Sequence, residues 1–312
     1  MSRVTAIFMV ILLCCTACAP ITATAVPSTR RDKLAEIMAR STLVIATDAD
    51  YAPQSKLLPN STPDPDSKCS PAQYTASQMT GFDVDVAREV ALQLGVEPCF
   101  VTPPWSQLVA GNWGDNWDIH VGSVAITFER MKVLYFTQPY YATPSVVLVH
   151  ADNNTLKMPE DLSGKRIGVC VGCTFEAYLK GTLQIPGEQI EYRIKNARIV
   201  GYENEEPAIA DLAAGDGVIL DAVITILPLA RQAINSGKPV KILGEPLLFA
   251  YASITLDRSG KRDSLRLLEN ISNILRELHA NGTLQQWSIK YQGQDLTQEA
   301  ARFDLSVLHQ TP

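Results

Sequence analysis

WDIHVGSVAITFER, Trp117 to Arg130, is the stretch that decides the fold. Its apolar centre reads as a β-strand, the following Ile-Thr as a turn, and Phe-Glu-Arg as a helix start. Arg130 therefore follows a strand and a turn, at the end of an α/β sheet where such folds place ligands. A planar guanidinium suits a carboxylate because it makes two parallel, charge-assisted hydrogen bonds. At an effective dielectric near 20, one such contact at about 4 Å is worth roughly 4 kcal/mol before desolvation. The competing reading is a solvated arginine, but a cation is unfavourable at the N-terminal end of a helix dipole.

Outward from this stretch, strand-like runs alternate with helical periodicity. TLVIAT (42–47) reads as a strand. GFDVDVAREVALQLG (81–95) carries Val86, Val90 and Leu94 at i, i+4 and i+8, with Gly95 as a stop. RIGVCV, a helix after it, PAIADLAAGDG, DAVIT, LPLARQAINSG and VKIL continue the alternation, with Pro228 near one helix start and Gly237 past its end. SVVLVH (145–150) and LLFAYASITL (247–256) are extended. SLRLLENISNILRELHANG places Leu268, Ile271, Leu275 and Leu278 on one face, and a last helix lies around TLQQWSIKYQG. Such alternation argues a parallel α/β sheet rather than a sandwich. Pro53 to Gln78 reads as a long irregular loop, and no internal repeat stands out.

The chain has 312 residues, 46% hydrophobic and 19% charged, with a net charge of -6. That length suggests about two domains, and the absence of a concentrated basic face argues against nucleic-acid binding. At the N-terminus, Arg3 precedes an apolar run from Val4 to Leu13, too short to span a bilayer but suited to a signal-peptide core. Thr16-Ala17-Cys18 resembles a bacterial lipobox, which would make Cys18 a lipidated first residue. Cys15 departs from that pattern, and cleavage after another small residue stays open. Ala19 to Arg31 reads as a tether. Four cysteines then remain, Cys69, Cys99, Cys170 and Cys173, an even number in an oxidising compartment.

Six segments in order resemble one family: ATDADYAP, GFDVDVAREVALQLGV, WSQLVAGNWGDNWDIHVGSVAITFERMKVLYFTQPYY, DLSGKRIGVCVGCTFEAYLKG, LDAVITILPLARQAI and HANGTLQQWSIKY. They resemble the polar-amino-acid solute-binding proteins of ABC importers, across Ser41 to Gln292. The resemblance implies an α/β fold of two Rossmann-like lobes joined by two crossover strands, the type II periplasmic-binding or Venus-flytrap architecture. The expected division is 1–17 signal peptide, 18–40 lipid anchor and tether, 41–145 and 250–312 lobe 1, and 146–249 lobe 2. The crossover strands would be 145–150 and 247–256.

The resemblance also implies a ligand set. Arg130 would grip the ligand α-carboxylate, with Ser123 offering a hydroxyl and Ala125 a main-chain N–H. Ala125 departs from the usual Ser or Thr. Tyr51 and Trp105 fall where aromatics wall the ligand, although isolated aromatics are as readily core. Trp113 and Trp117 read as packing residues. Asp48 takes the family's acidic position after the first strand; Asp50 could also face the cleft, or both could serve the turn before Pro53. On the second lobe, Thr174 and the backbone of Cys173 would meet the same carboxylate at a helix start. Ile226 stands where the family usually has Asp for the α-ammonium, and an unpaired ammonium there costs several kcal/mol. Either Asp48, Asp50, Glu245 or a glutamate of Glu203–Glu206 replaces it, or the ligand lacks a conventional α-amine.

Cys69 and Cys99 form a natural pair pinning the loop before the first long helix. Cys170 and Cys173 have a C-x-x-C spacing at a strand-to-helix turn, which suits thiol redox chemistry as well. No other part of a thioredoxin-like pattern accompanies them, so an added disulfide stiffening the loop is the preferred reading, with free thiols the alternative. The expectation is a monomeric, exported lipoprotein without metal or cofactor, delivering a small carboxylate, expected to be an amino acid, to a membrane permease. A dehydratase-like cleft enzyme on the same scaffold and a thiol oxidoreductase are the competing classes. His120, on a buried-looking strand, reads as structural.

Overall fold

A computed structural model describes residues 31–309; the expected signal peptide, Cys18 and most of the tether lie outside the described residues. The main strands are β1 (Thr42–Ala46), β2 (Glu97–Val101), β3 (Ile119–Ala125), β4 (Leu134–His150), β5 (Arg166–Cys170), β6 (Arg198–Tyr202), β7 (Ala222–Ile226) and β8 (Val240–Asp257). They form one sheet in the order β6-β5-β7-β4-β8-β3-β1-β2, with the short strand Tyr74–Thr75 added at the β2 edge. β1 pairs in parallel with β2 and β3, and β5 in parallel with β6 and β7. The long strands β4 and β8 run antiparallel to each other between these two groups.

Each group therefore has its first strand between its second and third. This repeated topology is invisible as sequence repetition because it lives in strand order, not in residue identity. In each group the chain leaves the first strand toward one side and returns on the other, opening a crevice at the carboxyl ends of the first and third strands.

The helices follow from local pattern. α1 (Lys33–Arg40) is capped by Asp32, whose side chain accepts from Leu34 N at 3.0 Å, and buries Leu34 and Ile37. Residues 33–40, expected to be tether, are thus a helix packed into the first core, because two apolar residues three apart share one face. α2 (Phe82–Gln93) buries Val86, Ala87, Val90 and Ala91 and carries Asp83 and Asp85 in its first turn, favourable to the dipole. Gly81 before it has φ +133°, and a Cβ there would fall 2.2 Å from the Gln54 carbonyl oxygen, so only glycine fits. α3 (Trp105–Ala110), α4 (Phe128–Met131), α5 (Thr174–Leu179), α6 (Glu205–Ala213) and α7 (Leu227–Asn235) follow strands. α8 (Leu265–Ala280) and α9 (Thr283–Gln292) close the first core. The buried face of α8 is Leu267, Ile271, Ile274, Leu275 and Leu278; Leu268, expected on it, is only half-buried. Burying each such side chain is worth roughly 1.5–3 kcal/mol.

β4 and β8 are longer than the expected crossover strands, 145–150 and 247–256. TQPYYATP, with two prolines and ahead of the expected crossover strand, is also strand. The ladder absorbs it through irregularities. Pairing shifts between Ala252, Ser253 and Thr255 opposite Pro139, and again between Leu243 and Leu248 beside the Pro144–Phe249 pair. Proline lacks a donor and is tolerated where the ladder is already disrupted.

Pro53 to Gln78 is not wholly irregular. Ser55–Leu57 pairs with Asp50–Tyr51 and Met79–Thr80 in a small sheet. Cys69 and Cys99 are joined with Cα atoms 5.4 Å apart, tying the loop to β2. Apolar side chains gather on both faces of each strand group, and Trp113 and Trp117 are buried in one such cluster 5.4 Å apart. Among the described residues, no helix is long and apolar enough to cross a membrane.

Candidate functional site

The crevices at the two groups' strand ends face each other, and the turns that follow β1, β3, β5, β6 and β7 enclose two adjoining cavities of about 40 Å³ each. All eight residues expected to contact ligand line one or both: Asp48, Tyr51, Trp105, Ser123, Ala125, Arg130, Cys173 and Thr174. Among the described residues, Asp50 and Glu245 are exposed and line neither.

Arg130 sits in α4, whose N-cap Thr127 accepts from Arg130 N through its hydroxyl at 3.2 Å. The turn therefore points the long side chain back along the end of β3. Arg130 is buried, at 8% exposure. Nη1 donates to the Ala125 carbonyl at 3.0 Å and Nη2 to the Gly172 carbonyl at 3.1 Å. The cation lies 5.3 Å from the Trp105 ring centroid, within cation–π range. It makes no ion pair among the described residues. Burial alone lowers its pKa to about 10, so it stays charged at neutral pH. A buried cation held only by neutral carbonyls favours an anion at the same place.

Glu205 is its counterpart. It is the first residue of α6, 4% exposed, and lines both cavities. Its carboxylate lies 3.3 Å from Cys170 Sγ and pairs with no cation among the described residues. Burial chiefly, and then the charge of Asp48, raises its pKa to about 7 against the opposing pull of its own backbone. A buried guanidinium and a buried carboxyl, neither ion-paired among the described residues, thus line one cavity.

Ser123 is turned inward. Its φ is +59°, rare for a residue with a side chain. Its hydroxyl donates to Asp83 Oδ2 at 2.8 Å, and its N–H to Tyr140 Oη at 2.9 Å, while Tyr140 donates to Asp83 Oδ1 at 2.8 Å. The hydroxyl expected to donate to a ligand is already committed, which leaves it as an acceptor. Asp83 is fully buried, and burial raises its pKa to about 7.

The C-x-x-C loop is similarly occupied. Cys170 and Cys173 are joined, Cys173 N–H closes a turn on the Cys170 carbonyl at 3.3 Å, and Gly172 N–H donates to Glu176 at 2.8 Å. Of the two donors expected there, the Cys173 N–H is engaged. The Thr174 hydroxyl has no partner among the described residues and lines the Arg130 cavity. A carboxylate beside Cys170 opposes the thiolate that redox chemistry requires.

Residues 65–294, most of the chain, match the family described as bacterial extracellular solute-binding proteins, family 3. The chain belongs to this family. Among its curated relatives are the probable amino-acid-binding protein YxeM of Bacillus subtilis (strain 168), 28% identical over 71% of this chain and 79% of YxeM, and the L-cystine-binding protein TcyJ of Escherichia coli (strain K12), 26% identical over 85% of this chain and 87% of TcyJ. Among solved structures, the ancestral amino acid-binding protein AncCDT-1, a precursor of cyclohexadienyl dehydratase, superposes with TM-score 0.66 at 27% identity, covering 83% of this chain and 99% of that one. The arginine-bound form of truncated ArgBP from T. maritima superposes with TM-score 0.62 at 26% identity, covering 78% and 99%.

Within this solute-binding family, two residues of the site went unassigned from the sequence alone. Glu205 was one of several acids able to replace the one missing at Ile226, and nothing in its local pattern separates it from Glu203 or Glu206. Only helix α6 decides, burying Glu205 and leaving the other two exposed. His120, read as structural, is buried but also lines a cavity, with Nδ1 unpartnered. Burial, with the Arg130 charge, lowers its pKa to about 3, so it is neutral. Ile226 lines the cavity as an apolar wall.

Proposed function

We propose that this protein is the extracytoplasmic receptor of an ABC importer and holds an amino acid between its two strand groups as a zwitterion. Arg130 takes the α-carboxylate, with the Thr174 hydroxyl as an added donor, and Glu205 takes the α-ammonium that Ile226 cannot. The observation that carries this reading is that Arg130 and Glu205, both buried and neither ion-paired among the described residues, line the same cavity. A zwitterion satisfies both at once, whereas either charge left unmatched is costly. The relatives named as amino-acid- and cystine-binding proteins agree with that class. The finer assignments belong to the same reading: cleavage before a lipidated Cys18, anchoring outside the cell membrane, a monomer in solution, and delivery of the ligand to a permease.

The test is mass spectrometry of ligand released from the purified protein, then a thermal-shift panel of amino acids and their des-amino analogues. Amino acids should stabilise the protein and des-amino analogues should not. Equal stabilisation by both would remove Glu205 from the ammonium role.

A second reading has one observation in its favour. A buried carboxyl with a pKa near 7 beside a ligand is the equipment of a general acid, and one structural relative is a dehydratase precursor. Ligand recovered unchanged after prolonged incubation supports the receptor; elimination of water from it supports the enzyme.

A further inference from the structure

Two sulfurs and a carboxylate meet at the turn after β5. Cys170 Sγ, Cys173 Sγ and a Glu205 carboxylate oxygen all lie within 4.8 Å of one another, and Cys170 Sγ stands 3.3 Å from Glu205 Oε1. Cys170 is 1% exposed and Glu205 4%, so both are shielded from water. The backbone builds this arrangement. Cys170 ends β5 and Cys173 caps α5; Gly172, at φ +75°, turns the chain between them, and the Cys173 N–H closes the turn on the Cys170 carbonyl. Two cysteines at C-x-x-C spacing on a tight turn, with a third ligand from a distant element, suit zinc as well as a disulfide.

In the structure the sulfurs are joined, which withholds them from a metal. A small dithiol that closes to its own cyclic disulfide delivers two electrons and two protons, breaks the Cys170–Cys173 bond and leaves two thiols. Ionised, they would crowd two thiolates against the Glu205 carboxylate, and among the described residues no Lys or Arg lines that cavity. A divalent cation between the three groups turns this repulsion into coordination and displaces the two thiol protons. Zinc with two thiolates and one carboxylate bears one net negative charge, and Arg130 already donates to Gly172 between the two cysteines. His120, 1% exposed with Nδ1 unpartnered, lines the same cavity and adds no competing charge. Thiolate ligands select zinc over magnesium or calcium, which take oxygen. We infer that the Cys170–Cys173 bridge masks a zinc site, formed when the bridge is reduced and held by both sulfurs and the Glu205 carboxylate, with the fourth position open to the cavity. The inference does not rest on the zwitterion reading, since metal uptake is measured with no amino acid present.

The experiment uses the full protein, freed of bound ligand and reduced without air by a tertiary phosphine, which becomes its oxide. Zinc is titrated against a chromophoric chelator, and cobalt(II) is added separately to read the thiolate charge-transfer band. The reduced parent should bind zinc at least about 100-fold more tightly than the oxidised protein, and about one equivalent more than C170S/C173S. That variant keeps Cys69 and Cys99, which with Glu97 make a second such trio, so the difference reports this site alone. E205Q should keep the charge-transfer band and lose at least about tenfold in affinity at this step. Uptake by the reduced parent no greater than by C170S/C173S would overturn the inference. So would zinc bound by E205Q as tightly as by the parent, the result also expected of an unfolded chain that holds metal through sulfur alone. Should C170S/C173S fail to fold, E205Q decides by the same criterion.

Discussion

Arg130 Nη2 donates to the carbonyl of Gly172 at 3.1 Å, joining the turn after β3 to the turn after β5. One side chain therefore belongs to both strand groups at once. A ligand carboxylate is a stronger acceptor than the Gly172 carbonyl, so ligand binding replaces a neutral contact by a charged one at the place where the two groups meet. Differential contacts of this kind shift a population between open and closed arrangements.

The first prediction follows from that bond. Arg130→Ala should abolish the rise in melting temperature that ligand produces and weaken binding by at least about 100-fold, the loss of roughly 2.7 kcal/mol. Arg130→Lys should recover only part, since an ammonium cannot make the paired contact. Thermal shift and calorimetry measure both. An undiminished shift in the alanine variant would remove Arg130 from the site.

The second concerns pH. Glu205 holds its proton up to about pH 7, and an ammonium partner needs the ionised form. Below pH 7 a proton must be expelled for each ligand bound, so affinity should fall by up to about tenfold per unit as pH drops from 7 toward 5. Above pH 7 it should level off. His120, neutral down to about pH 3, adds no charge in this window. Glu205→Gln should bind more weakly and lose the slope; a slope that survives in that variant would assign it elsewhere.

The two disulfides should behave differently. Cys69–Cys99 closes a loop of 30 residues, for which chain entropy predicts roughly 3 to 4 kcal/mol. Replacing both by serine should lower the denaturation midpoint markedly with little effect on affinity, because neither lines a cavity among the described residues. Cys170–Cys173 closes a loop of only 3, yet its sulfurs line the wall against Glu205. Its replacement should alter affinity more than stability, and unchanged affinity would deny it a supporting role.

Much of this was legible in the chain because the signals are local. Val86 and Val90 mark α2, Gly95 its end, and Thr127 the cap that aims Arg130. What was not legible depends on distant partners. Nothing beside Ser123 tells that Tyr140 and Asp83, 17 and 40 residues away, will take its N–H and hydroxyl. Nothing in Asn204-Glu205-Glu206 tells which glutamate α6 will bury. TQPYYATP hid the length of β4, since its prolines are tolerable only given where β8 shifts register.

Asp83 allows the last prediction. Its ordinary pKa of 3.8 is raised by burial to about 7, despite hydrogen bonds from Ser123 and Tyr140 that pull the other way. The folded protein therefore holds a proton there between about pH 4 and 7 that the unfolded chain has lost. The stabilisation this gives is complete below pH 4 and disappears as pH rises through 7. His120 acts in the opposite sense: the unfolded chain takes up a proton near pH 6.5 that the folded protein refuses until about 3. Glu205, whose carboxyl is also raised to about 7, slopes the same way as Asp83, so the wild-type stability curve alone does not separate the three. Asp83→Asn isolates one of them. An amide can accept from Ser123 and stay neutral, so its stability relative to wild type should climb between pH 4 and 7, by up to a few kcal/mol, and then level. Urea denaturation at pH 4.5, 6 and 8 gives the difference. A flat difference would mean that Asp83 is ionised in the folded protein throughout, and that its two hydrogen bonds outweigh burial.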